Sequence, residues 1–450
     1  MTDTRAFGRK ELYAVILIAA INLFIFADQN LMAPNLTQIA HDFGFGAVER
    51  DVKLGGQISL VFWVLGALVT LGIGYFTDMV SRKRLFVAVA IVGELPCLLS
   101  GFAETYTQLF WLRALTGIGI GGMIPITFSM IGDFFSHRNR AAAAAWITLV
   151  QGLGVAVGQL VAGFIGPEYG WRLPFIIVAA PSFLFILLFW FSVKEQPRGI
   201  AEESLKELIE SGAVYTGRIN FALYRSIFRI KTNLIVLLQG VPGCIPWGVF
   251  FVFLNDFYSQ NKGFSVEMAT LIVMMGGAAT LVGSFAGGLI GNKIYNRNPR
   301  YLPLFTGLAC IAGVVPMALL LNYPSQVGVE NPSIIVPLLL AFATGFMVIL
   351  PAPNLKAITL NVNSPETRGS ILSLGNLTDS LGQGFGPALI SLFIIGFGRV
   401  AAFNIANLFW VACGLLQLLM IFTFPKDGQR LTALMKEKAR AMSAQEINHG

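Results

Sequence analysis

GYFTDMVSRKR, residues Gly74–Arg84, sets one acid and three bases between two apolar runs. Those runs cover about 54–76 and 85–102, and a helix needs about 20 apolar residues to cross a bilayer core of about 30 Å. A charged turn this short between two such helices is a hairpin at a membrane face. GLIGNKIYNR, Gly288–Arg297, repeats the frame later in the chain: Gly74 and Asp78 match Gly288 and Asn292 at one offset of 214 residues. Two turns of one pattern predict a chain built twice over.

The composition agrees. Hydrophobic residues make up 55% of the 450 and charged residues only 12%, with a mean hydropathy of +0.70. A soluble domain carries roughly twice that share of charge, about 25%. The chain reads as an all-α integral membrane protein. Candidate spans lie at about 12–33, 54–76, 85–102, 107–131, 141–165 and 172–193, and again at about 234–256, 266–290, 302–322, 334–360, 370–395 and 400–424. That predicts twelve transmembrane helices in two six-helix halves: residues 1–193, a polar linker 194–231, residues 232–425, and a tail 426–450.

With the N-terminus inside, 24 of the 31 Lys and Arg fall on the inner side, and only Arg50, Lys53, Arg172, Lys262 and Arg399 fall outside. By the positive-inside rule both termini and the linker are cytoplasmic, and a cell (inner) membrane is the expected location. The basic balance is thus topology, and no nucleic-acid surface is implied. Cys97, Cys244, Cys310 and Cys413 sit in apolar runs without metal-ligand spacing. No metal or other cofactor is expected.

A second correspondence links RNRAAAAA to ETRGSILS: Arg140, Gly154 and Gly158 match Arg368, Gly382 and Gly386, all at an offset of 228. Such a parallel repeat fits two bundles related about the membrane normal. Together with Gly74, Asp78, Arg82 and Lys83 in the first turn, Arg113 followed by Gly117, Gly119 and Gly121, the series Gly152, Gly154, Gly158 and Gly163, and YGWRLPF at 169–175, it resembles the major facilitator superfamily over essentially the whole chain. FADQNLMAP, FAETYTQLFWLRALTGIGIGG and KEQPRG look most like the Spinster-like branch, which carries lysolipids or sphingoid phosphates. That branch usually has Arg where this chain has Gln29 and Glu where it has Ile120. Ala33-Pro34 is similar to the anion:cation symporter branch, which moves organic anions with protons. The resemblance implies alternating access, a fifth-span glycine series that allows close packing, and a gating role for Gly74, Asp78, Arg82 and Lys83.

Buried charge points to the working residues, because a charge at mid-membrane costs at least a few kcal/mol unless it faces a partner or a cavity. Asp28 lies about 24 Å up its span and Arg113 about 9 Å below the opposite face, at 1.5 Å per residue, so the two levels nearly coincide. A pair whose separation changes between two states changes its hold on a proton; the alternative is a static ion pair. Glu94 and Asp379, each about 14 Å deep, are further proton candidates, or else packing and hydrogen-bonded structural acids. Gln29, Asn30, Asn354, Asn376 and Gln383 are polar residues of the spans and candidates for a substrate cavity. Lys356 either snorkels to water or meets an anionic substrate. Pro242 and Pro246 should kink or break the seventh span, which makes Gln239 and Trp247 cavity candidates too.

Three functions compete. The first is a proton-coupled secondary carrier of a small organic anion, and the second a Spinster-like lipid carrier. The third is a membrane enzyme or receptor, which would need a cluster of His, Cys or acids at one depth, or a large extramembrane domain. No GxxxxGK[ST] occurs, so no ATP site is read. The expected partners are a small-molecule or lipid substrate, protons and the bilayer, with the chain acting as a monomer. Polar cavity walls favour the anion; an apolar C-terminal wall favours lipid.

Overall fold

The computed structural model describes residues 9–134, 137–195, 221–330 and 332–449, and every regular element among them is helical. Ten segments of these residues are long and apolar enough to cross a membrane. Helix Arg82–Ser100 is not one of the ten, since Arg82, Lys83, Arg84 and Glu94 load its 19 residues with charge. The last of the ten runs on within an 85-residue helical stretch, Pro365–His449, and there Gly398 (φ 76°, ψ 166°) is non-helical and joins two helices. Side chains such as Phe191 (81% exposed) and Phe285 (73%) point outward, as they do where the surrounding medium is apolar.

The chain folds into two compact units. One holds the described residues up to 195 with Phe250–Thr270 and Pro387–Leu392; the other holds 221–249, Leu271–Gly386 and 393–449. Within the first, helix Arg9–Ala27 stops being α-helical at Asp28, where a 3₁₀ turn, Asp28–Asn30, begins. A second such turn, Ala33–Asn35, carries Pro34, which has no N–H to continue the ladder. The chain then returns through a π-helical stretch, Arg50–Gln57, into helix Ile58–Met79.

Glycines set the helix spacing. A Cβ on Gly154 would lie 2.3 Å from the Leu23 carbonyl oxygen and one on Gly158 2.0 Å from that of Ala27. In the second unit, Gly382 and Gly386 stand in the same relation to the carbonyls of Val241 and Ile245. The residues matched by the 228-residue offset therefore do the same work: each pair lets its helix lie directly on the backbone of another. Gly152 has nothing within 4 Å, so it takes no part in this packing although it belongs to the same sequence series. Gly117 and Gly121 likewise seat helix Tyr106–Phe134 against Phe62 and Gly66.

Helix Lys231–Lys262 stays continuous through Pro242 and Pro246, so the expected break does not occur. The carbonyls of Leu238 and Pro242 lose their usual donors there, and glycines at 240 and 243 crowd the same turn. The tail is helical to His449. In the linker, Phe221–Phe228 is a short helix, while 196–220 lies outside the described residues.

Candidate functional site

The first unit buries a charged cluster. Asp28, Glu94 and Arg113 are 1%, 0% and 2% exposed. Each comes from a different element: the 3₁₀ turn after the first helix, helix Arg82–Ser100, and helix Tyr106–Phe134. Arg113 Nη2 donates to the Asp28 backbone carbonyl at 3.0 Å, and Nη1 lies 3.8 Å from Cys97 Sγ. The Cys97 thiol donates to Asp28 Oδ1 at 2.7 Å. The sequence-expected pair is therefore brought together, with Arg113 on the aspartate's backbone and Cys97 on its carboxyl group. Among the described residues, Asp28 Oδ2 and both oxygens of Glu94 are buried without a hydrogen-bond partner, with Ser182 facing Glu94. The guanidinium also lies between two rings, 5.5 Å from Phe62 and 5.4 Å from Phe175, contacts that help keep a cation in an apolar interior.

Residues of the second unit line a cavity of about 180 Å³. Gln239, Trp247, Lys356, Asn376 and Asp379 all line it. The Cys244 thiol hydrogen-bonds to Asp379, and Lys356 is near enough to act on that carboxyl group electrostatically. Trp247 packs edge-on against Trp410, with ring centroids 5.8 Å apart. Asn354 is outside this lining: its amide donates to the carbonyls of Gly287 and Leu350, both at 2.9 Å. Gln383 is outside it as well, its backbone pressed against Gly248. Gln29 and Asn30 belong to the other unit, where Asn30 donates its amide to Gln159.

A family model described as the Major Facilitator Superfamily matches residues 18–387. The chain belongs to that superfamily. It is 27% identical over 264 residues to a Cupriavidus necator protein named "Probable sulfoacetate transporter", a match covering 56% of this chain and 61% of that relative. It is 25% identical over 328 residues to the D-galactonate transporter of Escherichia coli, covering 68% and 74%. The solved structure of a bacterial homolog to the human lysosomal transporter Spinster, in an inward-facing and unoccupied conformation, superposes with a TM-score of 0.79. That match has 18% identity and covers 93% of this chain and 98% of the other. The resemblance read from the sequence is borne out, and these relatives are transporters, not enzymes.

The superfamily's signature turn is partly described. Ser81 caps helix Arg82–Ser100 by accepting from Arg84 N, and its hydroxyl lies 2.5 Å from Glu195. Lys83 Nζ sits 5.1 Å over the Trp190 ring, and Arg82 Nη1 reaches the Ser129 carbonyl at 3.5 Å. Gly74 lies in helix Ile58–Met79; the side chain of Asp78 lies outside the described residues. YGWRLPF also forms a tie: Trp171 and Arg172 both donate to Asp42, and Arg172 reaches the Ala103 carbonyl.

Sequence reading missed a second ionic network in the first unit. Arg50, counted above as a loop cation, is 9% exposed. Its Nε bonds Asp51 at 3.0 Å and its Nη1 lies 3.5 Å from Asp256. Thr37 holds the same Asp256 through its backbone N–H at 3.1 Å and its hydroxyl at 2.5 Å. Asp256 closes the apolar run of its helix, and an acid at that place was the available signal. Arg50→Ala leaves two acids short of their shared guanidinium, and removing one partner of a buried pair costs about 3 kcal/mol. A thermal scan should show a clear fall in Tm. Asp256→Asn, which keeps an acceptor for Thr37, should lose less.

Proposed function

We propose that this protein is a proton-coupled secondary active transporter that carries a small organic anion by alternating access. The chain crosses the membrane twelve times: Arg82–Ser100 and the break at Gly398 supply the two crossings beyond the ten apolar segments. The halves are 1–193 and 232–425, joined by the linker 194–231, with both termini on the cytoplasmic side. The matched glycine contacts on Leu23 and Ala27, and on Val241 and Ile245, support that division.

The observation that carries the proton reading is the buried set of two acids and one guanidinium. With both acids ionised, Asp28, Glu94 and Arg113 hold one negative charge in excess, and a single proton makes the set neutral. An uncompensated charge is costly at this depth, so the cluster is suited to gaining and losing one proton as its neighbours move. In the cavity the count depends on substrate. Lys356 and Asp379 balance each other when it is empty; an entering anion adds one negative charge, and the proton taken up by Asp28 and Glu94 offsets it. Anion and proton would then travel together.

The anion reading is supported by the polar groups of the cavity wall and by two relatives named for sulfoacetate and D-galactonate, both anions. The lipid alternative expects an apolar wall in this part of the chain. Much of the lining is apolar, Val348, Ile349, Leu355 and Ile371 among it, and Gln239, Lys356, Asn376 and Asp379 interrupt that surface with polar and charged groups that suit an anion. Arg82, Lys83 and Asp78 we assign to gating at the cytoplasmic face.

The test is transport by purified protein in proteoliposomes, with sulfoacetate, galactonate and a lysolipid as substrates. An imposed pH gradient should drive accumulation of an anion, a protonophore should abolish it, and Lys356→Gln should lower uptake at least about tenfold, the value of one charge-assisted contact. Lysolipid transport with no anion uptake would refute the proposal.

A further inference from the structure

The contacts around Asp28 put a thiol where a salt bridge would be expected. Helices Arg82–Ser100 and Tyr106–Phe134 touch at Gly93 and Gly119, where a Cβ on Gly119 would lie 2.2 Å from Gly93 Cα. Four residues beyond Gly93, Cys97 is fully buried. Its Sγ bridges the two charges, 2.7 Å from Asp28 Oδ1 and 3.8 Å from Arg113 Nη1. The guanidinium spends its other terminal nitrogen on the Asp28 backbone carbonyl at 3.0 Å, and Phe62 and Phe175 flank it. Oδ1 thus takes the thiol, and Oδ2 has no partner among the described residues. Arginine and carboxyl group share no hydrogen bond.

An arginine beside a carboxylate ordinarily binds it through charge-assisted hydrogen bonds, about twice as strong as neutral ones, and such a pair holds the acid in its charged form. A thiol is a weak, uncharged donor. With sulfur in the gap, Arg113 is near enough to offset the charge of the set and is kept from bonding to the acid. Oδ2 is the oxygen left to carry a proton. Glu94, one turn before Cys97 on the same helix, is the other charged group acting on Asp28. Gln159, which holds Asn30, and Ser182, beside Glu94, face the set from helices His137–Tyr169 and Arg172–Ser192 and are neutral. All of these residues belong to the first unit, so the arrangement is internal to it.

Given the proton-coupled reading above, we infer that Cys97 is a positioning residue: its thiol keeps the Arg113 guanidinium off the Asp28 carboxyl group, so that Asp28 takes up and releases a proton instead of being fixed as a buried ion pair. Without the sulfur, the two groups can close on each other across the gap. Serine at the same place keeps a donor and most of the spacing.

Infrared titration of the purified full-length protein in detergent tests this without a transported substrate. It follows the C=O band of protonated Asp28, assigned by its absence from Asp28→Asn. In Cys97→Ala the midpoint of that band should move to lower pH by at least about one unit, the low end of an arginine's effect on a neighbouring aspartate. In Cys97→Ser it should stay close to wild type. A midpoint unmoved or raised in Cys97→Ala, whatever happens to its Tm, marks a packing role and overturns the inference while leaving the proton reading standing. So does a serine variant that moves as far as the alanine one. A second readout leaves residue 97 untouched: an S–H stretching band of the wild type should shift at the same midpoint, as the thiol's acceptor changes charge, and the shift should vanish in Asp28→Asn. S–H bands unmoved at that pH overturn the inference even if neither variant folds. If the wild type shows no titrating Asp28 band at all, the proton reading falls and this inference with it.

Discussion

Asp28→Asn is expected to exchange substrate across a proteoliposome membrane and to lose accumulation driven by a pH gradient altogether. The amide keeps an oxygen where Cys97 donates, at 2.7 Å in the wild type. Arg113 is held by the backbone carbonyl of residue 28, so its main contact survives too. What goes is the charge. Glu94 alone then balances Arg113, and the set is neutral without any proton. Glu94→Gln should have the same outcome for the same reason. The double variant Asp28→Asn, Glu94→Gln is different in kind: it leaves the buried guanidinium without an acid, which costs about 3–5 kcal/mol. Its Tm should fall well below that of either single variant, a non-additive loss that shows the two acids share Arg113.

Gly158→Val should prevent the first unit from packing. A Cβ at 158 would fall 2.0 Å from the Ala27 carbonyl oxygen, and the nearby atoms are helix backbone, which cannot rotate away. Helix His137–Tyr169 must then lift off the chain just before Asp28. Overpacking typically costs 1–3 kcal/mol, and contact with backbone puts this variant at about 3 kcal/mol or more. It should give little monodisperse protein on size exclusion, and any that survives should melt early. Gly152→Ala is the matched control. With open space at that site, the change should be neutral or stabilising by up to about 1 kcal/mol through helix propensity. A similar loss from both variants would mean that the whole series is needed for helix flexibility, not for close approach.

Much of this was legible in the chain because membrane helices announce themselves by length and polarity. The expected first, fourth and sixth spans, for example, fall within or nearly on Leu12–Asp42, Tyr106–Ile131 and Arg172–Ser192. The charged cluster was legible as well, because an acid or arginine in an apolar run has few places to go. Its geometry was not. Cys97 stands three residues after Glu94 on the same helix, but nothing in an apolar run marks a thiol as the donor that reaches Asp28. Arg50 misled because an arginine between spans looks like a loop residue, and only the fold carries Asp256 to it from 206 positions away in the chain. Asn354 misled in the opposite sense: it is a polar residue in a span, and it is spent on the Gly287 carbonyl, where a glycine lets the helices touch. Pro242 and Pro246 predicted a kink or a break, and the helix runs on through both.

Asp28 can be the coupling acid only if anion and proton move together. The direct measurement is proton movement in wild-type proteoliposomes held at zero membrane potential, followed by a trapped pH-sensitive dye, when a transported organic anion is added outside. The lumen should acidify in step with anion entry, and Asp28→Asn should show entry by exchange with no pH change. Anion entry into wild-type vesicles with the internal pH unmoved would contradict it.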